Sequence, residues 1–241
     1  RQGGNGTAFL VTCSRGPNWG MQLVLKVFHK ISDDKRRSAF LEEIKHLKRF
    51  DHPGIIKVYD EGEFSVHTRK YPFVLMEYVP CTARKLLVSK QMDQLRAIRI
   101  GLNCLSALAC LHTASPRLVH RDIKPENILI GQASAKLADF GLVKVITEGE
   151  GTELGGDPGA QSAPTEVVPS TQWPGIPRAY RSPELIPHAK DRNFQVMPPS
   201  DIFQLGTVLY ELLTGYNPQK PVDDVFAPLE LDLREVKGSQ G

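Results

Sequence analysis

The chain has 241 residues, with 30 Lys+Arg against 27 Asp+Glu, a formal net charge of +3, and 41% hydrophobic against 24% charged residues. That balance excludes disorder of the whole chain and argues against a strongly electrostatic nucleic-acid binder. No apolar run is long enough for a transmembrane helix, so no membrane insertion is expected of this segment. No signal peptide and no initiator Met open the sequence, and the expectation is a domain excised from a longer chain. Cys13, Cys81, Cys104 and Cys110 lie far apart without a Cys-x-x-Cys pair. They read as buried free thiols of a cytoplasmic protein, not as a disulfide framework or a zinc site.

In chain order, a Gly-rich turn (Gly3-Gly4-Asn5-Gly6) separates two strands, and residues 15–20 form a turn. Residues 22–28 alternate as a strand, with Leu23, Leu25 and Val27 on one face and Val24, Lys26 and Phe28 on the other. A lysine inside so apolar a strand needs a reason. Residues 33–50 read as a helix capped by Ser32, with Phe40, Ile44 and Leu47 at helical spacing, stopped by Asp51-His52-Pro53-Gly54. Strands follow near 55–64 and 72–79, and the pattern turns helical from Pro80. In 94–112, Leu95, Ile98, Leu102, Leu105 and Leu108 recur at spacings that predict an amphipathic helix. Residues 118–143 suit short strands and loops, and 147–177, rich in Gly, Pro, Ser and Thr, a mobile loop. Residues 201–214 are apolar nearly all round, which predicts a helix buried in a core, capped by Ser200 and ended by Gly215.

Two motifs carry the chemistry. His120-Arg121-Asp122-Ile123-Lys124-Pro125-Glu126-Asn127 is followed, 17 residues after Asp122, by Asp139-Phe140-Gly141. With the Gly-rich turn, the strand lysine, a helix glutamate and Ser182-Pro183-Glu184 in the same order, the chain resembles the eukaryotic-like serine/threonine protein kinase family over nearly all its length. The resemblance implies an α+β, two-lobed protein-kinase-like fold: a small antiparallel sheet lobe with one helix over 1–79, and a mainly helical, incomplete lobe over 80–241. The activation segment would be 139–184. It implies a protein serine/threonine kinase that uses ATP and Mg²⁺ and acts on protein Ser/Thr hydroxyls.

By that resemblance Asp122 is the base that orients the substrate hydroxyl and Lys124 stabilises the γ-phosphate; a lysine there is a serine/threonine-branch feature. Asn127 and Asp139 are hard oxygen ligands suited to Mg²⁺. Gly3, Gly4 and Gly6 let backbone N–H groups approach phosphates, though the same glycines suit an ordinary hairpin. Lys26 would meet the α- and β-phosphates and pair with Glu43, whose neighbour Glu42 reads as solvated; Leu47 would pack toward Phe140. Ala8, Val24 and Leu129 would enclose the adenine. Met76 would be its gatekeeper, with the Glu77 carbonyl and Val79 backbone bonding its edge; a plain buried strand also explains these apolar residues. Arg121 would receive a phosphate on one of Thr147, Thr152, Ser162, Thr165, Ser170 or Thr171.

Several positions depart from the pattern. Arg1 replaces the first loop glycine, Ala8 a valine, Pro177 a threonine that contacts the catalytic loop, and Phe203 and Gln204 a Trp and a Ser. The family's helices beyond residue 214, with the basic partner they bring to Glu184, are not apparent, which leads us to expect exposed apolar surface on the 201–214 helix. A pseudokinase acting as a nucleotide-binding or scaffolding module is the alternative these departures favour. Lys26, Glu43, Asp122, Asn127 and Asp139 argue against it, and Lys124 with Ser182-Pro183-Glu184 weakens a small-molecule kinase.

Overall fold

The computed structural model describes residues 2–3, 6–29, 34–139, 144–146, 179–186, 196–219 and 229–233. Gly4, Ser32, Phe140, Pro177, the 147–177 loop and its Ser and Thr candidates lie outside the described residues.

Alternation of apolar residues builds an antiparallel sheet from β1 (Gln2–Gly3), β2 (Gly6–Thr12), β3 (Gln22–Phe28), β4 (Val58–Val66) and β5 (Arg69–Glu77), in the order β1-β2-β3-β5-β4. The last two strands are shifted by a few residues from the sequence expectation. The β2–β3 turn contains Gly16 and Gly20 at φ 79° and 81°, a conformation that disfavours other residues. Helix α1 (Asp34–Lys48) lays Phe40, Ile44 and Leu47 into the core as their spacing predicts, and the Phe40 ring meets Phe28 with centroids 4.5 Å apart.

The segment after α1 ties this sheet to the rest of the molecule. The Leu137 N–H donates to the Gly54 carbonyl at 2.8 Å and the Ile56 N–H to the Leu137 carbonyl at 2.9 Å. Leu137 belongs to β9 (Ala135–Leu137), which joins β6 (Cys81–Thr82) and β8 (Ile128–Ile130) in a second sheet of order β6-β8-β9. A third, two-stranded pair unites β7 (Arg117–Val119) with β10 (Lys144–Ile146). One hydrophobic cluster runs from Phe28 and Phe40 through Ile55 and Ile56 to Leu108, Leu137 and Leu205.

Three further long or capped helices belong to the described fold. Helix α2 (Ala83–Val88) is capped by the Thr82 hydroxyl, which accepts from the Lys85 N–H, and α3 (Gln94–Thr113) by Asp93, which accepts from the Arg96 N–H at 2.8 Å. Helix α4 spans Pro198–Thr214 and ends at Gly215, φ 75°, as expected. Its start differs: Pro198 opens it, Met197 is the cap residue, and Ser200 instead shares a buried hydrogen bond with Ser182.

The faces of α3 and α4 also depart from the sequence reading. Leu95, Ile98, Leu102 and Leu105 are exposed; α3 buries Ala97, Ile100, Gly101, Cys104, Ala107, Leu108 and Leu111. Close approach to α4 explains this, because a Cβ on Gly101 would lie 2.6 Å from a Leu209 methyl. Helix α4 is not apolar inside: it buries Ser200, Asp201, Gln204, Thr207 and Glu211 with Leu205, Val208 and Leu212, while Ile202 and Leu213 stay exposed. All four cysteines are free, but only Cys104 is fully buried; the other three are half-buried.

Two outcomes are expected. Gly54→Ala places a Cβ 2.8 Å from the Asn103 carbonyl oxygen, and urea unfolding should show a loss of about 1–3 kcal/mol. Burial pushes the Cys104 thiol up to about 12, so iodoacetamide on the folded protein at pH 8 should leave Cys104 unmodified while labelling Cys13, Cys81 and Cys110.

Candidate active site

Residues 120–123 belong to no helix or strand, so their backbone groups need partners from elsewhere. The buried polar stripe of α4 supplies them. Asp201 accepts from the His120 N–H at 2.8 Å and the Arg121 N–H at 2.7 Å, and bonds His112 Nε2 at 2.8 Å. Gln204 accepts from the Ile123 N–H at 2.9 Å and donates to the Arg121 carbonyl at 3.1 Å. Held this way, Arg121 adopts φ 69°, a left-handed conformation that costs a non-glycine residue energy. The His120 ring bonds the Ala138 carbonyl through Nε2 at 3.1 Å, which binds the loop to the segment leading into Asp139.

That scaffold presents a tight polar cluster. Lys124 Nζ donates to both Asp122 carboxylate oxygens, at 2.9 and 2.8 Å. Asn127 Nδ2 donates to the Asp122 carbonyl and to Oδ2, each at 2.8 Å. The 3₁₀ turn Pro125–Asn127 is closed by Asn127 N–H donating to the Lys124 carbonyl, and the Asn127 carbonyl accepts from Ala138 N–H; both bonds are 2.9 Å. Two hydrogen bonds thus tie Lys124, Asn127 and the residue before Asp139 to one another.

Asp139, itself left-handed at φ 63°, turns its carboxylate to β3 and bonds the Lys26 ammonium. This corrects the expected pair: Lys26 meets Asp139, not Glu43, and the Glu43 charge acts on Arg121 instead. Burial raises the proton affinity of the Asp139 carboxyl, but the Lys26 ammonium, with Lys124 and His120 behind it, holds it below the usual carboxylate range. Burial lowers the Arg121 guanidinium, and the Glu43 and Asp201 charges only partly restore it.

Lys26, Met76 and Asp139 share a pocket of about 280 Å³, counting its open mouth, lined also by Phe28, Ile44, Leu47, Ile56, Val58 and Val74. Val24 pairs with Met76 across β3 and β5, and Ala8 with Lys26 across β2 and β3. Val79 and Leu129 are half-buried against the core, Leu129 pairing with Thr82. Glu77 uses its side chain: Oε1 accepts from the Lys57 N–H at 2.7 Å and from Lys136 Nζ at 2.8 Å. Gly3 lies in β1, and a Cβ on Gly6 would meet the Val27 carbonyl oxygen at 2.3 Å, so strand pairing alone demands that glycine. Glu184 Oε2 is buried without a hydrogen-bond partner among the described residues.

Sequence reasoning missed Asp201 and Gln204, the first noted only as a helix start and the second only as a departure. The available signal was the polar spacing 200, 204, 207, 211 within an apolar helix, a stripe on one face. Gln204→Leu removes partners from the Ile123 N–H and the Arg121 carbonyl; denaturant unfolding should show a loss of roughly 1–3 kcal/mol for each group left unpaired.

Among the described residues no helix is long and apolar enough to cross a membrane, and no group of three or more His, Cys, Asp or Glu could hold a metal ion. The protein kinase domain family matches residues 2–229. Serine/threonine-protein kinase PknL of Mycobacterium tuberculosis is 34% identical over 189 residues, 77% of this chain and 40% of that protein. Serine/threonine-protein kinase PknB of the same species is 33% identical over 182 residues, 74% of this chain and 26% of that protein. Probable serine/threonine-protein kinase SCO3848 of Streptomyces coelicolor is 32% identical over 200 residues, 81% and 26% of the two chains. The matched part thus spans 40% or less of the length of these relatives.

Proposed function

The chain belongs to the protein kinase domain family, and from that premise we propose that it transfers the γ-phosphoryl group of ATP to serine or threonine hydroxyls of protein substrates. The observation that carries the reading is the convergence of the Asp122–Lys124–Asn127 cluster with the Lys26–Asp139 pair, close enough for the Lys124 charge to act on Asp139. Phosphoryl transfer through a loose transition state asks mainly for positioning and charge stabilisation, and these groups suit both tasks.

Asp122 orients the acceptor hydroxyl and takes its proton, Lys124 faces the γ-phosphate, and Lys26 the phosphates before it. Asn127 and Asp139 fit Mg²⁺: Asn127 Nδ2 is engaged by Asp122, which leaves Oδ1 as its ligating atom, and Asp139 adds a carboxylate. A Mg²⁺ held there would supply positive charge to offset that of the phosphates. Ala8, Val24, Met76 and Leu129 enclose the adenine, and the Glu77 carbonyl and Val79 backbone bond its edge. Gly3, Gly4 and Gly6 cover the phosphates, and Glu43 supports the site through Arg121. We place the division between the ATP-binding and catalytic lobes at 79/80 and the activation segment at 139–184, with regulation by phosphorylation within it. Four free thiols support a reducing, cytoplasmic setting for this domain.

With radiolabelled ATP, Mg²⁺ and a panel of Ser/Thr peptides, the protein should incorporate label, and Asp122→Asn should lower the rate about 10²–10⁴-fold while calorimetry still detects nucleotide binding. Label incorporated equally by Asp122→Asn, or none by the unsubstituted protein, would sink the reading.

A further inference from the structure

Arg84 projects from α2 into a set of acceptors gathered from three other parts of the chain. Its Nε donates to Glu126 Oε1 at 2.7 Å and Nη1 to Glu211 Oε1 at 2.6 Å, while Nη2 donates to the Tyr180 hydroxyl. Tyr180 in turn donates to Glu211 Oε2 at 2.5 Å. Burial, then the Glu211 carboxylate, push the Tyr180 hydroxyl above its ordinary range, which keeps it protonated as a donor. Every nitrogen of the guanidinium thus has its own acceptor, in three directions.

The positions of those acceptors give the contact its meaning. Glu126 sits inside the 3₁₀ turn between Lys124 and Asn127. Tyr180 is buried just before Ser182, and Glu211 is on the face of α4 that also presents Asp201 and Gln204 to the catalytic loop. Asp201 and Gln204 hold residues 120–123, and Arg84 holds the turn that follows through Glu126.

We propose that Arg84 is a positioning residue for phosphoryl transfer: its guanidinium locks the Pro125–Asn127 turn, and with it Lys124 and Asn127, to α4 and to the chain at Tyr180. The inference rests on the kinase reading above. Lysine cannot replace it, because one ammonium cannot present the planar fork that reaches three acceptors. The pocket beside Lys26 and Met76 is lined from β3, α1, β4, β5, Ile56 and Asp139 and contains no residue of this fork.

Steady-state kinetics and hydrogen exchange on the full chain test this. Arg84→Ala and Arg84→Lys should each lower kcat about tenfold or more, by a larger factor than they change the KM for ATP. Adding Glu126→Ala to Arg84→Ala should cost little more, since both remove one interaction. Independently of activity, the Asn127 and Ala138 amides should exchange about tenfold faster in Arg84→Ala while the Ala107 and Leu108 amides of α3 stay unchanged. An unchanged kcat in either variant, or exchange rising as much in α3 as in the turn, overturns the proposal. An unsubstituted protein that transfers no phosphate defeats the kinase reading instead, and the exchange comparison still decides whether Arg84 locks the turn.

Discussion

The proposed reacting groups of this protein sit on a loop that has no regular hydrogen-bonding partner, and everything else depends on how that loop is satisfied. Four residues, His120 to Ile123, present backbone groups to the interior, where leaving them unpaired costs about 1–3 kcal/mol each. Helix α4 answers with two side chains, Asp201 and Gln204, both fully buried. Burying a carboxylate is costly unless it is hydrogen-bonded, and Asp201 is bonded by two backbone N–H groups and His112. The strained φ of Arg121 persists because these bonds over-determine it. The helix is therefore less a hydrophobic pillar than a polar template for the loop.

The second constraint is that the lysine on β3 and the carboxylate on the segment after β9 must meet, although they come from opposite parts of the fold. The bridge between Ile55 and Leu137 does this. It fixes β9 against the segment that follows α1, and α1 in turn packs on β3 through Phe40 and Phe28. Two residues beyond Leu137, Asp139 leaves the strand in a left-handed conformation and reaches Lys26. A lysine in an apolar strand thus has a local electrostatic reason.

Much of this was legible in the sequence, and the unreadable part has a common cause. Period-two and helical spacing located the strands and the buried face of α1, because Phe40, Ile44 and Leu47 meet one uniformly apolar neighbour. The motifs around Asp122 and Asp139 pointed to the polar residues that the fold brings together. Hydrophobic periodicity misled at α3 and α4, where the packing partner decides which face is inside. Gly101 admits Leu209 so closely that the small-residue face of α3 is buried and the leucines at 95, 102 and 105 turn outward. On α4 the inward face is polar because its partner is bare backbone. Lys26 was matched to the wrong carboxylate because sequence order says nothing about which of two acids, Glu43 or Asp139, the fold brings nearer.

The charges at the site set a condition on any polyanionic ligand. Each lysine is already compensated, Lys26 by Asp139 and Lys124 by Asp122. Phosphates that drew both ammonium groups away would leave two partly buried carboxylates facing further negative charge, an arrangement that is strongly unfavourable in a low-dielectric setting. A divalent cation held at the proposed site by the Asp139 carboxylate and the Asn127 amide oxygen would supply positive charge to offset this conflict, which is an electrostatic reason for a metal site to adjoin a phosphate site here.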